Sequence, residues 1–329
     1  MKKRAEPIHR ESPNRSTRIN CVSLSSAGRT NRPGAHRGNI MEVALSLDAD
    51  SRAGVLEGAP ALLALFDRLE IRATIFLSFG PPLEAPVPRS SRSMARTSGL
   101  LGRWIARTRS AITSERLAAL LPPLIARARS RGHELGARPA NLQRWRDDLE
   151  QGPIEQFREN FLAASREFEV STLQSLHSFS SPDWLASPAL FELEDERELL
   201  YASDTRGTSP FLPSIDGRNF KTLQLPVTLP TWDEVLGSPG LDDESLLAFY
   251  RSSVREGIAQ VHRIHAEIEG MSHFPLFERL VTGWKSDGVR FVRLETVARR
   301  ALSRKDTLRR RDIKRREIPG RDRRVACES

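Results

Sequence analysis

The chain has 329 residues, of which 39% are hydrophobic, enough to bury one large core or two modest ones. The formal net charge of +9 is carried by the two ends: residues 1–40 have a net charge of +7 and residues 299–329 of +8, which leaves −6 for the rest. This distribution indicates solvated basic tails rather than a nucleic-acid-binding body. The two cysteines, Cys21 and Cys327, lie in those ends, which excludes a disulfide framework or a cysteine metal site.

The composition also predicts where the folded part begins and ends. Residues 1–40 contain no apolar run long enough for a signal peptide, and the sequence has no stretch of about 18 apolar residues that would span a bilayer. We therefore predict a cytoplasmic protein with a disordered basic extension over residues 1–40, upstream of a true start at Met41. A folded domain follows over residues 41–302, and a disordered basic tail over residues 303–329.

From Met41 onward, short apolar runs alternate with amphipathic segments, the pattern of βα units around a parallel sheet. Strands are predicted over 43–48, 73–79, 133–137, 173–179, 200–203, 223–227, 261–265 and 289–292, and helices over 59–69, 116–131, 154–168, 189–199, 244–256 and 276–287. About seven repeats favour one barrel over an open dinucleotide-binding fold. No G-x-G-x-x-G follows the first strand, so nucleotide binding has no support.

Residues 81–114 interrupt this rhythm. They place Leu100, Leu101, Trp104 and Ile105 on one predicted helical face with arginines around it. Such a helix either packs on the barrel or makes an interfacial membrane contact, and both interpretations stay open.

The first predicted strand ends in two carboxylates, Asp48 and Asp50. Residues i and i+2 of a strand point to the same face, so the two side chains leave the strand end side by side. Like charges that close raise one another's pKa unless a cation lies between them. The pair is either an acidic strand-to-loop junction, with Asp50 as a turn or cap residue, or half of a metal-assisted active site.

Four stretches carry a resemblance to a known family: SLDAD at 46–50, YASDTRG at 201–207, QLPVTLPTWDEV at 224–235 and IHAEIEG at 264–270. Together they resemble the polysaccharide deacetylase (NodB-homology) superfamily. Within it, the chain is most similar to the deformylases that act on 4-deoxy-4-formamido-L-arabinose phosphoundecaprenol. The resemblance covers about residues 42–298 and implies a distorted (β/α)7 TIM-like barrel.

The resemblance also implies metal-assisted hydrolysis of an acyl group on a sugar, here an N-formyl or N-acetyl group of a lipid-linked amino sugar of the undecaprenyl-phosphate type. It assigns Asp48 as the general base, Asp50 as a ligand of a zinc-type divalent metal, and His265 as the general acid. The predicted substrate-binding or orienting residues are Asp204, Arg206, Trp232 and Glu267.

One motif departs from the family pattern. The family supplies two more metal ligands as H-x-x-x-H after a segment that corresponds here to HELG at 133–136, and the matching positions are Arg138 and Leu142. Neither side chain ligates a divalent ion in the usual way. His133 and His177 are the remaining candidate ligands. The family's arginine after a Gly-Trp pair has no counterpart in residues 178–183. The sequence therefore predicts a weak or absent metal, with the Arg138 guanidinium neutralising Asp48 and Asp50 instead.

Three hypotheses follow from these observations. The first is an amide hydrolase of the aminoarabinose lipid pathway. The second is a non-catalytic homologue that binds a polyprenyl-phosphate sugar, with peripheral contact at the inner face of the cytoplasmic membrane. The third, more remote, is a polyanion-binding protein that acts through its basic tails without recognising a specific nucleic acid. The sequence leaves the oligomeric state open.

Overall fold

The computed structural model describes residues 40–83, 116–236, 238, 240–321 and 323–329. The predicted extension over residues 1–40 therefore lies outside the described residues except for Ile40. The predicted amphipathic helix around Leu100 and Trp104 lies outside them altogether.

Seven parallel strands form the body of the sheet, in the spatial order β9-β1-β2-β3-β4-β5-β8. The sheet curls, and the backbone N–H groups of Thr228 and Leu229, just after β8, donate to the carbonyl of Val261 in β9. The curled parallel sheet with its covering helices agrees with the predicted distorted (β/α)7 barrel. The strands are β1 Glu42–Ala49, β2 Thr74–Leu77, β3 Glu134–Ala137, β4 Ser178–Phe179, β5 Tyr201–Ala202, β6 Phe211–Ile215, β7 Arg218–Asn219, β8 Leu223–Gln224, β9 Ala259–His265, β10 Arg290–Val292, β11 Arg309–Arg316 and β12 Val325–Glu328.

Most of the helices cover the outer face of this sheet, and their main contacts form the larger of two apolar clusters, whereas Leu294, Val297 and Ala298 of the last helix belong to the second cluster. They are α1 Ala59–Arg68, α2 Pro122–Ser130, α3 Leu142–Gln151, α4 Ile154–Thr172, α5 Pro188–Glu196, α6 Trp232–Val235, α7 Asp243–Ser253, α8 Phe274–Ser286 and α9 Leu294–Leu302. Short π-helical turns occur at Gly54–Gly58 and Ile268–Ser272.

The alternation along β1 explains how one strand serves two environments. Val43, Leu45 and Leu47 belong to the larger cluster beneath the helices, whereas Ala44 belongs to the second cluster on the opposite face of the sheet. Because side chains alternate along a strand, Asp48 shares that opposite, inner face with Ala44. The interior is therefore apolar towards the amino ends of the strands and polar at their carboxyl ends.

The C-terminal segment corrects one prediction. Residues 303–329, predicted to be a disordered tail, contain β11 and β12, which form an antiparallel hairpin whose first strand also pairs with β6. Ile313, Val325, Ala326 and Cys327 are buried by this packing. A few apolar side chains within a basic stretch are enough to anchor the hairpin, because its backbone hydrogen bonds extend an existing sheet.

In the described part of the chain, no helix is both long enough and apolar enough to cross a bilayer.

Candidate active site

The acidic and basic residues singled out in the sequence lie at the carboxyl ends of the parallel strands. Asp48 is the next-to-last residue of β1, Arg138 directly follows β3, and His265 ends β9. Asp48 and His265 are register partners on adjacent strands. Parallel strands bring their carboxyl ends to one edge, which is where barrel enzymes build their sites.

The guanidinium of Arg138 bridges the two carboxylates that end β1. Its Nη1 lies 2.6 Å from Oδ2 of Asp48, and its Nη2 lies 2.9 Å from Oδ2 of Asp50. Ser78 donates its hydroxyl to the other oxygen of Asp50, at 2.8 Å. The prediction that Arg138 points at this pair is confirmed. Oδ1 of Asp48 is buried and accepts no hydrogen bond from any described residue.

Burial and charge act in opposite directions on these groups. Burial alone would lower the pKa of Arg138, but the carboxylates of Asp48 and Asp50 outweigh it and raise that pKa, so the guanidinium stays charged. Burial raises the pKa of Asp50, while Arg138 opposes this shift. The guanidinium is thus a permanent charge at the position where the resemblance implies a metal ion.

Asp48, Asp50, Arg138 and His265 form the charged centre of the site. Within it, His265 has an ion pair of its own. Its Nε2 lies 3.6 Å from Oδ1 of Asp233, in the first turn of α6. Although burial opposes protonation, Asp233 and the nearby Asp48 raise the pKa of His265 to about 9. The imidazole is therefore cationic at neutral pH. The backbone N–H of His265 donates to Glu269, a carboxyl whose pKa burial raises to about 8.

The sequence analysis missed Arg321, which the C-terminal hairpin brings into this region. Its Nη1 lies 2.8 Å from Oδ2 of Asp233, and its Nε lies 3.2 Å from Oε1 of Glu234. The guanidinium also stacks 4.6 Å from the ring centroid of Trp184. The pKa of Asp233 is held well below its usual range, because Arg321 and His265 outweigh the effect of burial. No sequence signal could identify Arg321 within a segment interpreted as a tail.

Asp204 lies deeper than predicted. It accepts the backbone N–H of Ser181 at 2.5 Å and the side-chain amide of Gln224 at 3.4 Å, and it pairs with the buried Glu194. Burial raises the pKa of both carboxyls, so the pair retains a proton. Asp204 therefore holds the loop after β4, and its predicted role towards a substrate stays a prediction.

Arg206 was predicted to bind or orient a substrate, but its guanidinium already has partners within the protein. It donates to the carbonyl of Leu229 at 3.0 Å, lies 3.5 Å from Glu234 and stacks on Trp184. Its guanidinium is thus committed to the protein on three sides.

Trp232 and Glu267 have mainly structural contacts. The ring of Trp232 has no exposed surface and packs against Phe277 and Tyr250, so the geometry gives no support to a substrate contact. Glu267 accepts hydrogen bonds from the backbone N–H and the hydroxyl of Ser51. A Cβ at position 54 would lie 2.1 Å from Oε1 of Glu267, so this close approach requires Gly54.

The residues present do not fit a zinc-type metal ion. Asp48 and Asp50 each give an oxygen to Arg138, and Leu142 is apolar and buried. The alternatives do not replace the lost imidazoles: His133 precedes β3 and His177 precedes β4, both at the opposite ends of the strands. Within the described ranges, no group of three or more His, Cys, Asp or Glu side chains could hold a metal ion.

Comparison with solved structures identifies the class of fold. A putative polysaccharide deacetylase from Mycobacterium smegmatis superposes with a TM-score of 0.60 at 15% identity, covering 88% of this chain and 99% of that one. A probable polysaccharide deacetylase from Pseudomonas aeruginosa PAO1 gives a TM-score of 0.55 at 18% identity, covering 80% and 91%. The fold is therefore the polysaccharide deacetylase fold.

Sequence comparison narrows the resemblance. The chain is 27% identical over 263 residues to a probable 4-deoxy-4-formamido-L-arabinose-phosphoundecaprenol deformylase of Shewanella sediminis, covering 77% of this chain and 85% of that protein. A protein of Wigglesworthia glossinidia brevipalpis with the same description is 32% identical over 150 residues, covering 44% and 50%. No family model matches the chain. The predicted resemblance to the superfamily, and to these deformylases within it, is confirmed.

Proposed function

We propose that the chain is a deformylase-like protein that binds a lipid-linked N-formyl amino sugar without metal-assisted turnover. The observation that carries this proposal is the Arg138 bridge between Asp48 and Asp50. A guanidinium supplies a fixed charge and hydrogen bonds to both carboxylates, but it is neither a Lewis acid nor a carrier of an activated water. The ligand class is taken from the deformylase relatives, whose described substrate is a formamido-arabinose on phosphoundecaprenol.

The state of the predicted base supports the same conclusion. Asp48 is 1% exposed, and one of its oxygens is held by Arg138. A general base must come within hydrogen-bond reach of the proton that it removes. The predicted acid, His265, is likewise engaged with Asp233, although its side chain keeps 16% of its surface exposed. His265 therefore keeps surface through which it can meet a ligand, as do Asp233 and Asp50, whereas Asp48 does not.

Hydrolysis of the formamide is the second candidate function, and one observation favours it. Asp48 and His265 are both present, and they face each other across the register of β1 and β9. An acid and a base in that position could act on an amide once a ligand displaced Arg138 from Asp48.

Three measurements on the purified chain separate the two candidates: divalent metal content by elemental analysis, calorimetric binding of a water-soluble formamido-arabinose phosphate, and release of formate from it. We expect far less than one ion per chain, saturable binding and no formate. His265→Ala should weaken binding, whereas His177→Ala, an exposed imidazole at the other end of the strands, should not. Tightly held stoichiometric zinc, or formate release, would instead support the active enzyme.

We further propose that the protein binds peripherally to the cytoplasmic face of the membrane that carries such a lipid. β11 presents four exposed cations without an ion-pair partner among the described residues: Arg309, Lys314, Arg315 and Arg316. Anionic lipid surfaces attract such clusters. The loop after β11 reaches Asp233 through Arg321, five residues beyond Arg316, so the basic strand ends in a loop that contacts the site.

Sedimentation with vesicles tests this contact. The chain should co-sediment with phosphatidylglycerol vesicles at low salt, and the charge reversal Lys314→Glu with Arg315→Glu should reduce the bound fraction. Phosphatidylcholine vesicles are the control. Equal sedimentation of both proteins would contradict the assignment to β11, and retention on nucleic acid that exceeds vesicle binding would favour the polyanion hypothesis.

A further inference from the structure

A second arginine, Arg263 on β9, approaches Asp48 from the strand that pairs directly with β1. Its Nε lies 3.7 Å from Oδ2 of Asp48, the same oxygen that Arg138 contacts. Its Nη2 donates to the hydroxyl of Ser180 at 2.6 Å and to the carbonyl of Ser203 at 2.5 Å. Its Nη1 donates to the carbonyl of Ser181 at 3.3 Å. Arg263 is 1% exposed, so a full charge is buried inside the barrel.

The charges of the centre explain why a second cation lies there. Asp48 and Asp50 carry two negative charges, and Arg138 supplies only one positive charge between them. An uncompensated charge in a protein interior is strongly destabilising, because the group has lost its hydration without gaining a partner. With Arg263, the four side chains form a neutral cluster of two carboxylates and two guanidinium groups.

The small side chain of Ser180 leaves the space for this arrangement. Its hydroxyl lies 2.6 Å from Nη2 of Arg263 and 3.5 Å from Nη1 of Arg138, and therefore sits between the two guanidinium groups. Ser180 directly follows β4, in the stretch 178–183 that lacks the family's arginine. With the serine hydroxyl already 2.6 Å from Nη2 of Arg263, a longer side chain at position 180 would run into that guanidinium.

We infer that Arg263 is a positioning residue of the centre, which supplies the second cation beside Asp48 through the space that Ser180 leaves. It holds Oδ2 of Asp48 on the side opposite the loop after β3, and it ties the loops after β4 and β5 to β9. The functional part of this inference rests on the proposed ligand-binding function, whereas its structural part does not.

Relocation of the arginine tests the structural part. Arg263→Ser and Ser180→Arg are made singly and together, and thermal unfolding is followed by circular dichroism. Arg263→Ser should lower Tm by roughly 6 °C or more, because it removes the second cation beside Asp48 and leaves two loop carbonyls without their donor. Ser180→Arg should also lower Tm, since it adds a third cation to a filled space. The double variant should recover at least half of the loss.

A double variant no more stable than Arg263→Ser would overturn the inference, because the role would then not pass to a guanidinium at position 180. The surface variant Arg279→Ser is the control for loss of an arginine, since this side chain is half exposed in an ion pair with Glu244. It should change Tm by less than about 2 °C.

Conservative variants test the functional part. Arg263→Lys keeps the charge, and Arg263→Gln keeps hydrogen bonding without the charge. We expect Lys to hold the affinity for formamido-arabinose phosphate within about threefold, and Gln to weaken it by about tenfold or more. Equal binding by the two variants would exclude a role for the charge. If the unmodified chain does not bind the sugar, the proposed function fails, and the relocation series still decides whether Arg263 positions Asp48.

Discussion

The contact between Arg138 and the two aspartates determines the chemistry of the centre at the scale of single residues. A metal ion and a guanidinium can both neutralise two carboxylates, but only the metal adds open coordination positions. The N–H groups of the guanidinium are occupied by the protein itself, since Nη1 contacts Asp48 and Nη2 contacts Asp50. The side chain at position 138 therefore determines what the two carboxylates contact, while the strands that carry them stay the same.

Replacement of Arg138 should be strongly destabilising. Arg138→Met leaves two buried carboxylates to repel each other, and we expect the free energy of unfolding to fall by about 3–5 kcal/mol. Urea denaturation measures this change. Arg144→Met, on a half-exposed side chain of the following helix, is the matched control and should stay within about 0.5 kcal/mol of the unmodified chain. A similar, small change in both variants would mean that Arg138 is not needed to neutralise the pair.

The ion pair of His265 predicts a stability that depends on pH. The folded-state pKa of about 9 lies above the ordinary value of 6.5, so protonated His265 stabilises the fold fully below about pH 6.5. This contribution is lost as the pH rises through about 9, and it amounts to at most about 3 kcal/mol. Urea unfolding of the chain and of His265→Gln, at pH 6 and pH 9.5, should show a difference that narrows at the higher pH. A constant difference would contradict the raised pKa.

At the scale of elements, apolar periodicity predicted the parallel βα units, but it missed the C-terminal hairpin that is added to them. The strand predicted over 43–48 is β1, and the helix predicted over 154–168 is α4. Both were predictable because the apolar pattern of a long segment indicates which of its faces is buried. The strand predicted over 173–179 shrinks to Ser178–Phe179. Leu173, with a φ of 54°, caps α4 instead. The hairpin β11–β12 was missed because its charge pattern outweighs its few apolar residues.

The hairpin should contribute measurably to the fold through Arg321. Arg321→Met removes the cation that Asp233 and Glu234 share, and we expect a loss of about 3 kcal/mol in urea unfolding. Arg324→Met, three residues along the same hairpin, removes an exposed pair with Glu317 and should cost less than about 1 kcal/mol. Equal losses would show that the hairpin stabilises the fold without specific use of Arg321.

At the scale of the whole molecule, the site could be predicted only as far as the topology determines it. A parallel barrel gathers residues that end its strands, which is why Asp48, Arg138 and His265 share one edge. The proximity of Arg263 to the site could have been predicted, because it lies two residues before His265 and therefore on the same face of β9. Asp233 lay within a quoted motif, but its pairing with His265 depends on how α6 packs above β9, which no local pattern encodes.

We also predict that two substitutions are enough to give the barrel a metal site. Arg138→His with Leu142→His puts histidine at the two positions where the resemblance implies metal ligands, and together with Asp50 we expect these to form an Asp-His-His set of the kind that binds zinc. The doubly substituted chain should be less stable than the unmodified one without metal, because Asp48 and Asp50 lose their guanidinium. Zinc should then stabilise it, by about 2.7 kcal/mol at a hundred times its Kd. Thermal unfolding with and without zinc, together with elemental analysis after dialysis, measures both effects.

Each single variant is a control and should bind zinc at least about tenfold more weakly than the double variant, since one imidazole cannot complete the set. If zinc leaves the Tm of the double variant unchanged, then histidines at positions 138 and 142 are not sufficient for metal binding by this barrel.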